Sequence, residues 1–343
     1  MKGLFFLGDR QVVLGEVDDP KPDYGEVVVE IKASGMCGSD LHPYRATPNR
    51  DIPIERRFIG GHEPCGVVVE VGAGVPEQVA KPGDRVMVHH YHGCMTCAHC
   101  RTGWPQLCHP DTRTTYSANA HGAHAPYMKV PASTLVPLPD ALSFEAGAAI
   151  ACGTGTAWGA LERLELGGDE TVAVFGQGPV GLSATMLAAA RGARVIAIDV
   201  DDDRLGLAKS FGAAETINGK NVDVAQALRA LTSGSGVEMV VETSGASPAA
   251  QAGVDGIAVW GKVCMVGIGS RVSIETRALL DRQVTVMTSY TMSTVQQQQC
   301  ADFIVSRNLD LDRIFTNRWR LDQAEQAYLV LDAQSSGKGV FLF

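Results

Sequence analysis

The chain has 343 residues, of which 45% are hydrophobic and 20% are charged, a composition typical of a folded protein with about two domains. Acidic residues number 38 against 29 lysines and arginines, and the net charge of -9 argues against nucleic acid as a partner. Seven of the nine cysteines lie between Cys37 and Cys152, and all nine histidines lie between His42 and His124. We therefore expect reduced, metal-binding thiols rather than a disulfide framework.

The amino terminus has only a short apolar run at residues 4–7, closed by a glycine and two charged residues. This run is too short for a secretory signal. No stretch reaches the roughly 18 apolar residues that a membrane helix requires. We expect a cytoplasmic protein without a membrane partner.

The predicted elements change in character along the chain. Short β-branched runs between glycines and prolines predict a compact β-rich unit, at residues 26–33, 66–71 and 84–89. From residue 171 onward, strands alternate with helices, which predicts a parallel sheet of βαβ units. These strands span residues 171–175, 194–200, 239–243, 261–266 and 283–290, with helices that include 179–191 and 222–231. Two helices and a strand near the end are expected to return to the first unit, at residues 293–306, 321–331 and 339–343.

The most specific motif is a loop with four cysteines spaced C-x2-C-x2-C-x7-C, namely Cys94, Cys97, Cys100 and Cys108. Four thiolates so close together can surround one tetrahedral zinc ion and leave no position for substrate, so this zinc would be structural. An iron–sulfur cluster is the alternative. Its bacterial signature, however, places the fourth cysteine after three residues and before a proline, whereas His109 follows Cys108 here. The spacing of this four-cysteine lobe therefore favours zinc.

A second set of ligand-type side chains is spread over the first 152 residues. Cys37 lies in Gly-Met-Cys-Gly-Ser-Asp-Leu-His, His62 in Gly-Gly-His-Glu-Pro, and Cys152 in Ala-Cys-Gly-Thr-Gly-Thr. Two thiolates and one imidazole form the three-ligand set of a catalytic zinc that keeps its fourth position open. Each residue alone would more often be a buried core side chain. The prediction therefore requires the fold to bring all three together.

The predicted strand at 171–175 runs into a G-x-G-x-x-G motif and then a helix. The motif comprises Gly176, Gly178, Pro179, Val180 and Gly181, and Asp199 ends the next strand. Such glycines permit a tight turn and close approach to a pyrophosphate at a helix N-terminus, and the acid can bond a ribose 2'-hydroxyl. Because Asp199 would repel a 2'-phosphate, NAD is preferred to NADP, although the nearby Arg204 weakens that preference.

Together, these segments resemble the zinc-containing medium-chain dehydrogenases, the alcohol dehydrogenase family, over essentially the full length of the chain. The match also includes the closing Gly-Lys-Gly-Val at 337–340. The resemblance implies an α/β protein with a GroES-like, β-rich catalytic domain formed by residues 1–152 and 292–343. Residues 153–291 would form a Rossmann-type, doubly wound parallel-sheet domain that binds NAD.

The resemblance also implies roles for individual residues. Cys37, His62 and Cys152 would be the catalytic zinc ligands, and the four-cysteine lobe would hold a second, structural zinc. Glu63 resembles the acid that can approach the metal during ligand exchange, and Asp40 the carboxylate that orients His62 through its other ring nitrogen. Ser39 and His42 resemble the family's proton relay. The residues that resemble its nicotinamide contacts are Thr156, Val266 and Ile268. Lys338 resembles its basic pyrophosphate ligand.

The implied function is that of an NAD-dependent zinc alcohol dehydrogenase, which transfers a hydride between an alcohol and NAD and reversibly gives an aldehyde or ketone. A polyol, sugar or amino-alcohol (threonine-type) dehydrogenase is an alternative, as is a non-catalytic, zinc-stabilised binding protein. Bacterial relatives are often tetramers, so we expect a homotetramer or a homodimer. His121 and His124 depart from the family's more usual glycine and aromatic pattern, and we expect both to be surface loop residues.

Overall fold

The computed structural model describes residues 1–48, 52–333 and 337–343. The chain divides into two compact units, the first formed by Met1–Cys152 with Ser293–Phe343 and the second by Gly153–Met292. The sequence had placed the second boundary one residue earlier, with Met292 in the first unit. Each unit has its own sheet.

The amino-terminal part of the first unit is rich in short strands and has three short helices. The strands are β1 Lys2–Gly8, β2 Gln11–Glu16, β3 Glu26–Gly35, β4 Pro64–Val71, β5 Arg85–Val88, β6 Tyr91–His92, β7 Thr114–Thr115, β8 Tyr127–Pro131 and β9 Leu135–Pro137. The helices are α1 Leu41–Arg45, α2 Ala98–Arg101 and α3 Phe144–Ile150. In β3, the alternate residues Val27, Val29 and Ile31 are fully buried, because successive side chains of a strand point to opposite faces.

The second unit contains six strands and six helices that alternate along the chain. The strands are β10 Thr171–Phe175, β11 Arg194–Asp199, β12 Glu215–Asn218, β13 Val237–Glu242, β14 Ile257–Met265 and β15 Thr285–Thr288. The helices are α4 Gly153–Leu164, α5 Pro179–Arg191, α6 Asp202–Ser210, α7 Val224–Leu231, α8 Ser247–Asp255 and α9 Thr276–Leu280. The sheet is parallel throughout, in the order β12-β11-β10-β13-β14-β15. This is the doubly wound order of the Rossmann fold, so the predicted fold class is confirmed.

The end of the chain completes the first unit. Its elements are α10 Thr294–Ser306, β16 Phe315–Trp319, α11 Ala324–Asp332 and β17 Lys338–Leu342. Strand β17 pairs antiparallel with β3, and the sheet has the order β16-β17-β3-β4-β5-β9, with β8 also paired to β3. Residues from the two ends of the sequence thus share one sheet.

The first unit has an aromatic core cluster in which both ends of the chain meet. Phe6 from β1, Tyr44 from α1, Tyr328 from α11 and Phe341 from β17 are all buried in it. Among the described residues, no helix combines the length and the apolar character needed to cross a bilayer.

Candidate metal and cofactor sites

Four ligand-type side chains of the first unit converge, and we call them the mixed-ligand cluster: Cys37, His62, Glu63 and Cys152. Cys37 follows the end of β3, His62 and Glu63 directly precede β4, and Cys152 follows α3. One ligand atom from each residue lies within 4.8 Å of the corresponding atoms of the other three. The fold therefore brings together the three residues that the sequence singled out, and Glu63 with them.

The donors of the mixed-ligand cluster suit zinc. Two thiols, an imidazole and a carboxylate are the ligand types that zinc prefers. The Oε1 atom of the fully buried Glu63 has no hydrogen-bond partner among the described residues, which is costly unless a cation or a donor satisfies it. These residues fit a zinc ion, with Glu63 able to compete for the fourth position.

Asp40 holds His62 in a defined orientation. Asp40 Oδ1 lies 3.1 Å from His62 Nδ1, and Oδ2 accepts a hydrogen bond of 2.9 Å from the backbone N–H of Cys37. Because a carboxylate favours a proton on Nδ1, His62 Nε2 is left as the atom that can bind a metal. Although burial disfavours the imidazolium, Asp40 raises the pKa of His62 well above its ordinary value.

Ser39 lies against the cluster, whereas His42 is exposed on α1. The Ser39 hydroxyl donates to Cys37 Sγ at 3.2 Å and lies 3.1 Å from His62 Nε2. Both residues of this predicted relay are within the described part of the chain, and no hydrogen bond joins them directly. A proton leaving Ser39 would therefore need an intermediate group before it reached His42.

The two thiols of the mixed-ligand cluster differ in acidity. The hydrogen bond from the Cys152 thiol, with help from His62, lowers the pKa of Cys37 well below its ordinary value. The same bond raises the pKa of Cys152 well above its ordinary value. Cys37 is therefore the thiol that loses its proton first, and a cation in the cluster would favour the loss of the second.

Lys338 does not have the free side chain that a pyrophosphate ligand needs. It is 1% exposed, its Nζ lies 2.5 Å from Glu63 Oε2, and it donates to the carbonyl of Met36 at 3.1 Å. Burial raises the pKa of Glu63 to about 8, although Lys338 opposes this. The physical reason for the difference from the prediction is that a buried ammonium requires a counter-charge, which the carboxylate of Glu63, directly before β4, supplies.

The prediction of two surface histidines is wrong for His124. His121 is exposed, and its Nδ1 accepts the backbone N–H of Ile59. His124, in contrast, is fully buried, with Ser34 Oγ 2.8 Å from Nδ1 and Tyr328 Oη 2.8 Å from Nε2. Its small apolar neighbours at positions 123 and 125, both buried alanines, were the only sequence indication of this position.

His90 is a buried histidine that the sequence analysis did not single out. Its ring centroid lies 5.3 Å from that of His62, and its Nδ1 lies 2.9 Å from the carbonyl oxygen of Ala151. Because a carbonyl only accepts, Nδ1 carries the proton and Nε2 is an acceptor. Burial, followed by the charge of His62, lowers the pKa of His90 well below its ordinary value.

The four-cysteine lobe is closed and supported by its own backbone. Its four sulfur atoms lie within 4.8 Å of one another. The backbone N–H of Cys97 donates to Cys94 Sγ at 3.3 Å, and that of Cys100 donates to Cys97 Sγ at 3.4 Å. The Thr96 hydroxyl and the backbone N–H groups of Thr96 and Cys97 lower the pKa of Cys94 to about 5. A side chain at Gly93 would collide with Cys100 Sγ. The lobe thus fits a tetrahedral zinc ion with no open position.

The glycine motif in the second unit has the geometry of a dinucleotide-binding turn. Gly176 has a φ of 83°, a conformation that favours glycine. A side chain at Gly181 would collide with the carbonyl oxygen of Gly176. Gly178 is the N-cap of α5, which begins at Pro179 and continues through Val180. The exposed donors of such a helix start can bind a pyrophosphate.

Asp199, at the end of β11, is bound to the same turn. Its carboxylate accepts the backbone N–H of Gln177 at 2.5 Å and that of Val200 at 2.7 Å, and Arg204 Nη1 lies 4.0 Å from Oδ2. A carboxylate has about four acceptor positions. Asp199 therefore stabilises the glycine turn and still has an acceptor position for a hydroxyl group.

The three residues predicted to contact a nicotinamide all lie in the second unit. Thr156 is buried in α4, and Val266 directly follows β14, where its N–H donates to the carbonyl of Glu242 at 2.8 Å. Ile268 is 74% exposed. A single exposed isoleucine is ordinary on a protein surface, so its contact with a nicotinamide stays a prediction.

Comparisons with known proteins agree with both units. The family model "Alcohol dehydrogenase GroES-like domain" matches residues 23–140, and "Zinc-binding dehydrogenase" matches residues 179–306. The chain is 36% identical to the uncharacterized zinc-type alcohol dehydrogenase-like protein YphC of Escherichia coli (strain K12), covering 100% of this chain and 99% of the relative. It is 30% identical to sorbitol dehydrogenase of Bacillus subtilis (strain 168), covering 95% and 92%.

Among solved structures, the alcohol dehydrogenase TADH from Thermus sp. ATN1 superposes with a TM-score of 0.90 at 28% identity, covering 100% of this chain and 99% of that chain. Full-length similarity, the two zinc-type donor sets and the dinucleotide-binding turn all lead to one assignment. The chain belongs to the zinc-containing medium-chain dehydrogenase family, as the sequence predicted, and is a zinc-dependent oxidoreductase with a nicotinamide cofactor.

Proposed function

We propose that this chain is an NAD-dependent alcohol dehydrogenase that oxidises a small-molecule alcohol to an aldehyde or ketone and catalyses the reverse reduction. The convergence of Cys37, His62 and Cys152 carries the proposal. Three protein ligands are what a catalytic zinc needs, because its fourth position must remain available. The four-cysteine lobe would hold a second zinc, so that each chain binds two.

The residues in and around the mixed-ligand cluster would have different roles in the reaction. A bound zinc supplies a Lewis acid that makes an alcohol hydroxyl easier to deprotonate, and a bound nicotinamide supplies the hydride acceptor. Asp40 keeps His62 Nε2 directed at the cluster, as the contact at 3.1 Å indicates. Ser39, which touches both Cys37 and His62, can accept the substrate proton. Through an intermediate group, that proton can then reach the exposed His42 and pass to solvent.

Glu63 would be the exchangeable member of the mixed-ligand cluster, able to compete for the fourth position. Its burial and its ion pair with Lys338 hold it beside the other donors without committing both of its oxygens. If zinc were bound without substrate, the free oxygen of Glu63 would be available as a ligand. When substrate arrives, Lys338 can hold the carboxylate away, since the two side chains already form a buried pair.

The choice of NAD over NADP rests on Asp199. Its carboxylate ends β11 beside the glycine turn and is 6% exposed, which is where a ribose hydroxyl can donate and a 2'-phosphate would be repelled. Arg204 offers only a partial counter-charge at 4.0 Å. Thr156, Val266 and Ile268 would contact the nicotinamide, as the family resemblance suggests.

A second candidate substrate class is favoured by His90. An alcohol with a single hydroxyl and an otherwise apolar body has no further group to donate to the buried imidazole of His90 next to His62. A polyol or amino alcohol has a second donor that can form this hydrogen bond. Sorbitol dehydrogenase of Bacillus subtilis is among the relatives of this chain. We therefore propose polyols, sugars and amino alcohols as the alternative to simple alcohols.

The cysteines and the family resemblance bear on the cell compartment and the assembly. No disulfide bond joins any two of the nine cysteines, all of which lie in the described part of the chain, as is usual in a reducing cytoplasm. The resemblance to tetrameric bacterial dehydrogenases supports a homotetramer, with a homodimer as the alternative. Size-exclusion chromatography with light scattering measures the subunit number directly.

One experiment tests the proposed function. Purified protein is assayed with primary and secondary alcohols, polyols and amino alcohols, with NAD and with NADP, by the absorbance of the reduced nicotinamide, while zinc is measured by mass spectrometry. We expect about two zinc ions per chain, the number of donor sets, and turnover that prefers NAD. Two bound zinc ions with no hydride transfer to either cofactor would instead support the zinc-stabilised binding protein.

A further inference from the structure

Behind Asp40, a chain of hydrogen bonds continues into the core of the first unit. Tyr328 donates from its hydroxyl to Asp40 Oδ2 at 3.4 Å, and His124 Nε2 lies 2.8 Å from the same hydroxyl oxygen. Ser34 Oγ lies 2.8 Å from His124 Nδ1. Ser34, His124 and Tyr328 are fully buried and Asp40 is nearly so, so water cannot substitute for any of these contacts.

When Tyr328 donates to Asp40, the other donors and acceptors in this chain can be arranged in only one way. The carboxylate of Asp40 can only accept, so the single hydroxyl proton of Tyr328 is used in the hydrogen bond to Asp40. The Tyr328 oxygen must then accept from a proton on His124 Nε2. Burial lowers the pKa of His124 to about 4, so the ring is neutral, and Nδ1 must accept from Ser34. The three groups are thus polarised toward Asp40.

Ring packing keeps Tyr328 in place. The ring of Phe6 meets it edge-on at 5.0 Å, and the ring of Tyr44 lies 5.4 Å away. Phe341 packs against His124 at 4.8 Å. The contact from Tyr328 to Asp40 is the longest of the series, yet the Tyr328 side chain cannot move away from Asp40 without lengthening its shorter bond to His124.

We propose that His124 and Tyr328 are positioning residues that hold Asp40, and through it His62, in the orientation required to bind the metal. The proposal rests on the proposed zinc site, because His62 must be a ligand for its orientation to matter. Asp40 receives one backbone donor and one side-chain donor on Oδ2, and loss of the side-chain donor would let the carboxylate turn. Helix α11, from the far end of the sequence, would thereby help to build the metal site.

The test replaces single hydrogen bonds in the intact protein. Tyr328→Phe removes the hydroxyl that joins His124 to Asp40, and His124→Phe removes both bonds of the imidazole. Tyr44→Phe is the matched control, since Tyr44 belongs to the same core cluster but does not reach Asp40. The readout is the rate of zinc release to a chromophoric chelator, and the trace of His62→Ala identifies the phase that belongs to the four-cysteine lobe.

We expect Tyr328→Phe and His124→Phe to release the zinc of the mixed-ligand cluster about tenfold faster than the parent, the usual size of an outer-shell effect on a metal site. Tyr44→Phe should match the parent. His124→Gln should recover most of the loss, because the glutamine amide can donate to Tyr328 and accept from Ser34. Recovery by the polar variant is something that mere filling of the core would not produce.

Two results would overturn the proposal. If Tyr328→Phe and Tyr44→Phe lowered the melting temperature alike and left zinc release unchanged, His124 and Tyr328 would serve only the core. If the parent itself had no zinc that His62→Ala removes, the proposed function would fail, and this inference would fail with it. The zinc content of the parent separates the two cases.

Discussion

The four-cysteine lobe takes all its donors from one loop, whereas the mixed-ligand cluster takes its donors from three distant stretches of the first unit. In the lobe, backbone N–H groups of the same loop support the sulfur atoms. In the cluster, support comes from Asp40, Lys338 and Tyr328, which belong to different elements. A local site can form with little help from the fold, but the cluster exists only when the whole unit has assembled.

The two sites also differ in the freedom of their donors. The lobe offers four sulfur atoms and leaves no position open. The cluster combines thiols, an imidazole and a carboxylate, and the carboxylate of Glu63 is shared with a buried lysine. Zinc in the lobe should therefore affect stability, and zinc in the cluster should affect chemistry.

The largest effect is expected from His62→Ala. Loss of one of three ligands should lower kcat/KM by at least about a thousandfold, equal to about 4 kcal/mol of transition-state stabilisation. Zinc content should fall from about two per chain to about one, measured by mass spectrometry. The control is His121→Ala, which removes an exposed imidazole. Full activity of the His62 variant would place the chemistry elsewhere.

Cys100→Ser tests the opposite half of the comparison. Loss of a buried sulfur from the lobe should lower stability by roughly 4 kcal/mol, and the melting temperature by about 10 °C, because structural zinc contributes directly to folding. The kcat of the protein that remains folded should change little. His99→Ala, an exposed change in the same lobe, is the control. A variant that keeps its melting temperature but loses turnover would reverse the roles of the two sites.

The difference in construction also explains what could be predicted. The four-cysteine lobe and the glycine turn are contiguous in sequence, so spacing alone indicated their chemistry. The pairs Glu63–Lys338 and His124–Tyr328 depend on β17 lying beside β3 and on α11 packing against the aromatic cluster. No local pattern contains those long-range contacts, so Lys338 and His124 were misplaced.

Among the secondary-structure elements, too, those with a clear local sequence pattern were the ones that could be predicted. Helix α5 was predicted at its observed bounds, because an alanine-rich run between two glycine turns predicts a helix that begins and ends at those turns. The hairpin of β1 and β2 was not predicted. Its turn depends on Asp9 and Arg10 adopting positive φ, a conformation that suits a two-residue hairpin but that these residue types do not indicate.

The pH dependence of stability should reveal the buried histidine behind the cluster. His124 has a folded pKa of about 4 against about 6.5 when unfolded, so the unfolded chain binds more protons between these values. Stability therefore falls as pH drops from about 6.5 to 4, by up to about 3 kcal/mol from this residue. His124→Gln should flatten that decline in chemical unfolding, whereas exposed His109→Gln should not. Equal slopes in both variants would contradict the burial of His124.

Cofactor preference tests the second unit separately from both metal sites. Asp199→Asn removes the negative charge that would repel a 2'-phosphate, so the ratio of kcat/KM for NAD over NADP should fall about tenfold, or about 1.4 kcal/mol. Because the amide places a donor against the N–H of Gln177, affinity for both cofactors should also weaken, which makes the ratio the informative quantity. A parent enzyme that already prefers NADP would refute the role of Asp199.

The smallest effect is expected from His42→Ala, because this residue is exposed and solvent can replace it in part. No hydrogen bond joins it to Ser39, so the loss should be limited to about tenfold in kcat near neutral pH, below the usual range for a direct general base. Small bases such as imidazole should restore activity in proportion to their concentration, while the KM for alcohol stays constant. Since Ser39 touches the cluster itself, Ser39→Ala should cost more and should not be rescued. A His42 variant with the parent's pH–rate profile would mean that protons leave the cluster by another route.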